Sequence, residues 1–221
     1  MQKNFIQKIH KSSKRNYFIR MNSQKYKRIE NAKKYGKKYW DGKRSEGYGG
    51  YYYIPGYWKN VAHKILNTYK LKKNANILDI GCGKGFLIYE IKKIRPDLHI
   101  FGVDISKYAL KNAIGKEMIN YKKHKAQNKF KFKSKFFDLV ISLGTLHNLK
   151  LFHLKKSIEE ISRISKKSYI MVESYRNSRE LVNLQCWALT CESFFSKEEW
   201  LDLIKNKFNK CELFIYFKEL F

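Results

Sequence analysis

Three glycines and two carboxylates carry the clearest chemical signal in the chain. In ILDIGCGKGF, residues 77–86, Gly81, Gly83 and Gly85 alternate with Cys82 and Lys84, and Asp79 stands two residues ahead of the first glycine. Glycines at this spacing permit a tight turn and close backbone approach, so the helix that opens behind them can offer N–H groups to an anionic ligand. Asp104 follows Gly85 by 19 residues and ends the apolar run HIFGVD. A carboxylate there can accept both hydroxyls of a ribose. Turn and carboxylate together point to an adenosine-containing ligand. The dinucleotide fingerprint is GxGxxG, whereas this turn reads GxGxG, and no second nucleotide-binding half is evident. A sulfonium nucleoside fits better: Asp79 pairs with its ammonium, and the turn amides take its carboxylate.

The elements that must hold these residues alternate along the chain. NILDIG (76–81), HIFGVD (99–104), FFDLVISL (136–143), SYIMVE (168–173) and ELFIYF (212–217) read as apolar strands. Between them, GFLIYEIKKI reads as a helix stopped by Pro96, and SKYALKNAIGKEMI as a helix capped by Ser106. Leu154, Ile158, Ile161 and Ile164 stripe another helix, and Ser196 with Glu199 forms a capping box before EEWLDLIKNKF. A further helix, WKNVAHKILNTYKL, begins shortly after Pro55. Strands alternating with helices predict an α/β, doubly wound, mostly parallel sheet of the seven-stranded type. The third strand is short, lost in the lysine-rich stretch before Phe136. Residues 1–45 read as a basic, partly helical arm, with Phe5, Ile6 and Ile9 on one face and Tyr35 and Tyr39 on another; residues 46–221 read as the domain.

ILDIGCGKGF, FGVDIS and FDLVISLGTLHNL resemble the first, second and fourth motifs of class I S-adenosylmethionine-dependent methyltransferases, in order over residues 76 to 175. The resemblance implies a Rossmann-like fold, S-adenosylmethionine as cofactor and S-adenosylhomocysteine as product. It places Asp79, Gly81, Gly83 and Gly85 on the methionine moiety, Asp104 on the ribose and Ile105 on the adenine. Cys82 and Leu143 join them as donor contacts. Many members carry an Asp before the fourth strand that contacts the adenine amine; Ala126 stands there, and Gln127 or Asn128 is the substitute.

Methyl transfer needs positioning more than acid–base chemistry, because the donor supplies the reactivity. SLGTLHNL differs from the [DN]PP[YF] signature, which argues against transfer to nucleobase or glutamine amide nitrogen. His147 lies past the fourth strand and is a candidate base or a pocket floor. VESYRN places Glu173, Tyr175 and Arg176 at the same rim: Glu173 accepts a proton or orients the acceptor, and Arg176 clamps a carboxylate or phosphate, or else pairs with the glutamate. The run from Asn177 to Phe195, with Trp187 and Thr190, covers the acceptor side. In GYGGYYYIPGYW, Tyr48, Tyr51, Tyr53 and Tyr57 are candidate flap and acceptor contacts.

The formal net charge is +28, with 39 Lys against 8 Arg. Phosphate clamps and base readout favour Arg, and basic residues flank the aromatic stretch instead of interleaving with it. The favoured acceptor is therefore a small polar or anionic metabolite, such as a sugar or a phosphorylated surface-glycan precursor, methylated on O or N. The alternatives are an RNA methyltransferase that holds phosphates with its arm, and a non-catalytic module that binds the donor. Four cysteines without a CxxC pair or a His cluster suggest buried thiols and no metal. No apolar run is long enough for a signal peptide or a membrane span, so a cytoplasmic protein is expected. Oligomeric state is not encoded in any of these features.

Overall fold

The computed structural model describes residues 4–6, 21, 24–205, 207 and 211–217. Helices α1 (Lys25–Ala32), α2 (Lys37–Asp41) and α3 (Lys59–Tyr69) lead into β1 (Asn76–Ile80). Then follow α4 (Phe86–Ile94), β2 (His99–Asp104), α5 (Lys107–Lys111), β3 (Asn120–Lys123), β4 (Leu139–Leu143) and α6 (Leu151–Ile164). The chain continues through β5 (Ser168–Ser174), α7 (Ser178–Trp187), α8 (Lys197–Lys205) and β6 (Cys211–Phe217). The strands form one sheet in the order β3-β2-β1-β4-β5-β6, and every neighbouring pair is parallel. The described residues thus supply six strands of the seven-stranded type. Ile9 lies outside the described residues.

Alternation along each strand divides the core into two layers, as a sheet covered on both faces requires. Ile77, Ile141, Tyr169, Met171 and Phe214 pack beneath Val61, Ile65 and Leu66 of α3 and Leu87, Ile88 and Ile91 of α4. Leu78, Ile80, Val140, Ile170, Val172 and Ile215 face the α6 stripe of Leu154, Ile158, Ile161 and Ile164 together with Trp200. Phe5 and Ile6 join the first layer, and the Phe5 ring lies 4.7 Å from Tyr169.

Local signals set most of the boundaries. Ser106 caps α5 as expected, its hydroxyl accepting from Ala109 N–H at 2.9 Å. That helix is shorter than its sequence suggests: Asn112 turns its side chain back onto Tyr108 O at 2.8 Å, and the chain bends at Gly115 toward β3. Ser196 and Glu199 close the capping box reciprocally, at 2.6 and 3.3 Å. The lysine-rich stretch does yield the third strand, a four-residue edge whose Lys122 and Lys123 are exposed. Charged side chains on an edge discourage pairing with another chain.

Candidate active site

The strand order reverses at β1, with β2 on one side and β4 on the other, and ligands of such sheets bind beyond the strand ends at that point. A cavity of about 520 Å³ opens there. Its floor carries Asp79 of β1 and Gly81, Cys82 and Gly83 after it, Leu143 of β4 and Gly144 and His147 after it, and Glu173 at the end of β5. Two chain segments roof it, residues 39–58 and the strap Trp187–Cys191. Just beyond them, a Lys33–Glu192 ion pair of 2.5 Å joins the two stretches of chain.

Asp79 is 5% exposed, and its carboxylate makes no hydrogen bond with the described residues. Burial, then the nearby Asp104 carboxylate, pushes its pKa up to about 8. A buried acid in that condition gains from a cationic ligand, which fits the ammonium of S-adenosylmethionine. Asp104 is held differently. Its two oxygens accept from Gly83 N–H at 2.8 Å and Ser106 N–H at 2.7 Å, leaving further lone pairs for ribose hydroxyls. Burial raises its pKa, and these backbone donors partly offset the rise.

Two expectations for the turn need correction. The amides of Gly81 and Cys82 donate to Val103 O at 2.8 and 3.1 Å, and that of Gly83 to Asp104. Those N–H groups are committed inside the turn, so a ligand carboxylate has no claim on them. Gly85 does not line the cavity either. It adopts φ +77°, and any side chain there would overlap the Tyr121 hydroxyl, so its role is packing.

The roof is fastened to the turn by a buried ion pair. Lys84, 4% exposed, donates to both Asp41 oxygens at 2.7 and 2.8 Å and to Tyr51 O at 2.7 Å, while Asp41 also accepts from Tyr51 N–H and the Tyr108 hydroxyl. Burial works against the Asp41 carboxylate, but the Lys84 ammonium and these donors prevail and hold its pKa below the usual value. Next to Asp41, Trp40 lies on Gly83 and donates its indole N–H to Ser106 Oγ at 3.0 Å. Trp40 therefore stands over the strand tip that carries Asp104, and Asp104 does not line the cavity. Lys84→Met strands the Asp41 carboxylate, which costs about 3–5 kcal/mol for a buried pair. We expect a lower melting temperature and faster proteolysis within residues 42–50; an unchanged melting curve would show that the roof is held by other contacts.

On the acceptor side, His147 is 4% exposed, and burial lowers its pKa to about 4. Its Nδ1 accepts from Glu173 N–H at 3.4 Å, which leaves the ring proton on Nε2, 3.5 Å from Glu173 Oε2. The carbonyl of His147 receives the N–H groups of Glu192 and Ser193, so the strap hangs from the same residue. Rings stack along the roof: Trp40 on Tyr48 at 5.1 Å, Tyr48 against Tyr51 at 4.7 Å, and Tyr51 on Phe86 at 4.8 Å.

Of the residues singled out in the sequence, Asp79, Gly81, Cys82, Gly83, Leu143, His147, Glu173, Tyr48, Tyr51 and Tyr57 share this cavity. Ile105, Gln127, Tyr53, Tyr175 and Arg176 do not line it. Tyr53 turns outward and donates to Glu90, and Tyr175 forms an isolated bridge with Ser196. Arg176 pairs with Glu180 and lies 5.0 Å over the Phe217 ring, so it clamps no ligand here. Sequence reasoning passed over Tyr39, Trp40, Asp41, Arg44 and Lys84. YWDG falls in the stretch read as an arm, and Lys84 reads as a spacer between glycines.

Residues 71–213 match the family model described as a methyltransferase domain. Among curated proteins, the mitochondrial arginine-hydroxylase NDUFAF5 of Rattus norvegicus is 30% identical over 109 residues, covering 49% of this chain and 31% of the relative. The chain thus spans about a third of that relative's length. Among solved structures, a protein described as a methyltransferase of an antibiotic biosynthesis pathway in Anabaena variabilis superposes with a TM-score of 0.54 at 22% identity, over 66% of this chain and 60% of that one. YcgJ of Bacillus subtilis does so with a TM-score of 0.54 at 18% identity, over 66% of each chain. With the family model spanning most of the chain, the protein belongs to the methyltransferase-domain family, within the class I S-adenosylmethionine-dependent superfamily.

Proposed function

We propose that this protein transfers a methyl group from S-adenosylmethionine to O or N of a small polar metabolite held in the cavity beneath the aromatic roof. When bound, the donor supplies the activated methyl group. The observation that carries the reading is the pairing of two buried carboxylates in one cavity, Asp79 on the donor side and Glu173 on the acceptor side. Asp79 holds the donor's ammonium, and Asp104, at the tip of β2, is the carboxylate that takes the ribose hydroxyls. Glu173 removes the acceptor's proton. His147 serves as the positioning partner of Glu173 and not as the base, because its Nδ1 is occupied by a backbone N–H and its pKa sits near 4. On this reading residues 24–45 work with the domain: they bring Trp40 and Asp41 to the donor turn.

A phosphorylated acceptor loses its main support, since Arg176 lies outside the cavity. A unit negative charge 4 Å from an ionised Glu173 is repelled by about 4 kcal/mol at an effective dielectric constant of about 20. The curated relatives are named for arginine hydroxylation, so the test must separate transfer from oxidation. The protein is incubated with donor labelled in the methyl group and with amines, alcohols, sugars or transfer RNA. Label in a small-molecule product, with stoichiometric S-adenosylhomocysteine and little change between about 50 and about 200 mM salt, is the expected result. Label confined to RNA, with a steep fall over that salt range, would replace this reading with the nucleic-acid one. Donor binding without label transfer would exclude both.

A further inference from the structure

Residues 107–135 form one outer edge of the molecule: α5, the edge strand β3 that it packs against, and the connection that leads to β4. They hold ten lysines, no arginine and one acidic residue, Glu117. An even spread of the chain's 39 lysines over its 221 residues would put about five there, so the excess is local and does not follow from overall composition. All ten are exposed, and none forms an ion pair with a carboxylate among the described residues. The undescribed residues add eight lysines and arginines against one acid, Glu219, so they bring this edge no net negative charge.

Two simpler roles do not account for the cluster. Lys122 and Lys123 on β3 are enough to keep another strand from pairing with the edge, yet the other eight lysines lie off that strand. Nor is the connection a loose solvated tail. Exposure alternates along it, with Lys129, Lys131 and Lys133 outward, Phe130 buried and Phe132 half-buried between them. Arg163 holds this backbone from α6, donating to Phe132 O at 2.8 Å and Phe130 O at 3.0 Å, while Glu160 accepts from Phe130 N–H at 2.6 Å. Phe132 stacks on Phe136 with ring centroids 4.9 Å apart. The lysines are therefore displayed from a fixed frame, which lowers the ordering cost of engaging a partner.

Such a surface calls for a polyanion, and its details choose among polyanions. The rings are spent on one another, so none is offered for stacking on bases. Without arginine there is no fork to grip single phosphates or read base edges. Lys122 and Lys123 leave opposite faces of an outer strand, which makes a ridge rather than a groove that tracks a nucleic-acid backbone. Ammonium point charges act fully on the smeared negative charge of a lipid surface, where each one in reach strengthens adsorption about fivefold. We infer that the β3 edge is a docking surface for an anionic lipid bilayer, on which the protein adsorbs without inserting. The inference stands independently of the methyl-transfer reading.

Sedimentation of the full chain with vesicles tests it, using phosphatidylcholine alone and phosphatidylcholine with about 30% phosphatidylglycerol. Binding to the anionic vesicles at least about tenfold tighter at about 50 mM salt, with a fall of at least about tenfold by about 200 mM, is the expected result. Equal binding to both vesicles, or to neither, overturns the inference. Because the whole chain is basic, the place of contact is read from variants. Lys129→Gln with Lys131→Gln and Lys133→Gln should weaken binding about 10²-fold. Removing the same charge from exposed positions on and after α3, as Lys64→Gln with Lys72→Gln and Lys73→Gln, should weaken it less than about threefold. Equal losses in the two sets overturn the assignment to this edge. Should the first set lower the melting temperature, Lys122→Gln with Lys123→Gln and Lys125→Gln takes its place. Transfer RNA is then added at phosphate equal to the anionic lipid: a chain that stays on the vesicles upholds the lipid surface, and one stripped from them gives the edge to nucleic acid instead.

Discussion

Asp79→Asn is expected to weaken S-adenosylmethionine binding about 10²- to 10³-fold, because it removes the counter-ion of a buried ammonium. The same substitution removes a proton from the binding reaction. With a pKa of about 8, the carboxyl of donor-free protein is mostly protonated at pH 7 and must ionise to pair with the ammonium. Calorimetry in two buffers of different ionisation enthalpy should therefore read close to one proton released per donor bound at pH 7, and none for Asp79→Asn. Stability of the donor-free protein follows the same linkage with a definite sign. The unfolded chain loses this proton near 3.8 and the folded chain near 8, so stability falls as pH rises between those values, by about 1.4 kcal/mol per pH unit. Saturating donor should flatten that slope. Wild-type binding without proton release would move the donor's ammonium away from Asp79.

Glu173→Gln is expected to lower kcat by about 10²- to 10⁴-fold while donor affinity stays within about threefold of wild type, the pattern of a lost proton acceptor. Initial rates of S-adenosylhomocysteine formation at saturating donor, set beside calorimetric donor binding, check both halves. His147 enters as its partner. Since His147 is neutral down to pH of about 4, the wild-type rate profile should carry no limb from it between pH 5 and pH 8. A limb near 6.5 that disappears in His147→Gln would make His147 the base and reverse the two roles.

Much of the fold is legible in the sequence. The first-strand turn and the alternating strands follow from local rules, since a strand buried on both faces and a glycine turn each leave a short-range imprint. The capping residues Ser106 and Ser196 act within four positions of themselves and were read correctly for the same reason. The roof was harder. Trp40 and Asp41 earn their places through partners 66 and 43 residues away, Ser106 and Lys84, and no local pattern announces such a contact. Arg176 misled for the opposite reason: its neighbour Glu180 sits one helical turn on, where an i,i+4 ion pair forms, and it captured a side chain that looked free to clamp a ligand. His147 lines the cavity just past β4, but its low pKa comes from burial, which depends on the strap folding over it.

The arrangement of strands also bears on how the chain is born. β1 finds its partner β2 within about thirty residues, but its other flank waits for β4, and β5 and β6 come later still. Until residue 143 has left the ribosome, Ile77 and Leu78 have solvent or another molecule against one side of their strand. Such late, distant pairings slow folding and leave sticky intermediates. Production in a host at low temperature, or with co-expressed chaperones, should therefore raise the soluble yield more than any change to the finished molecule's surface.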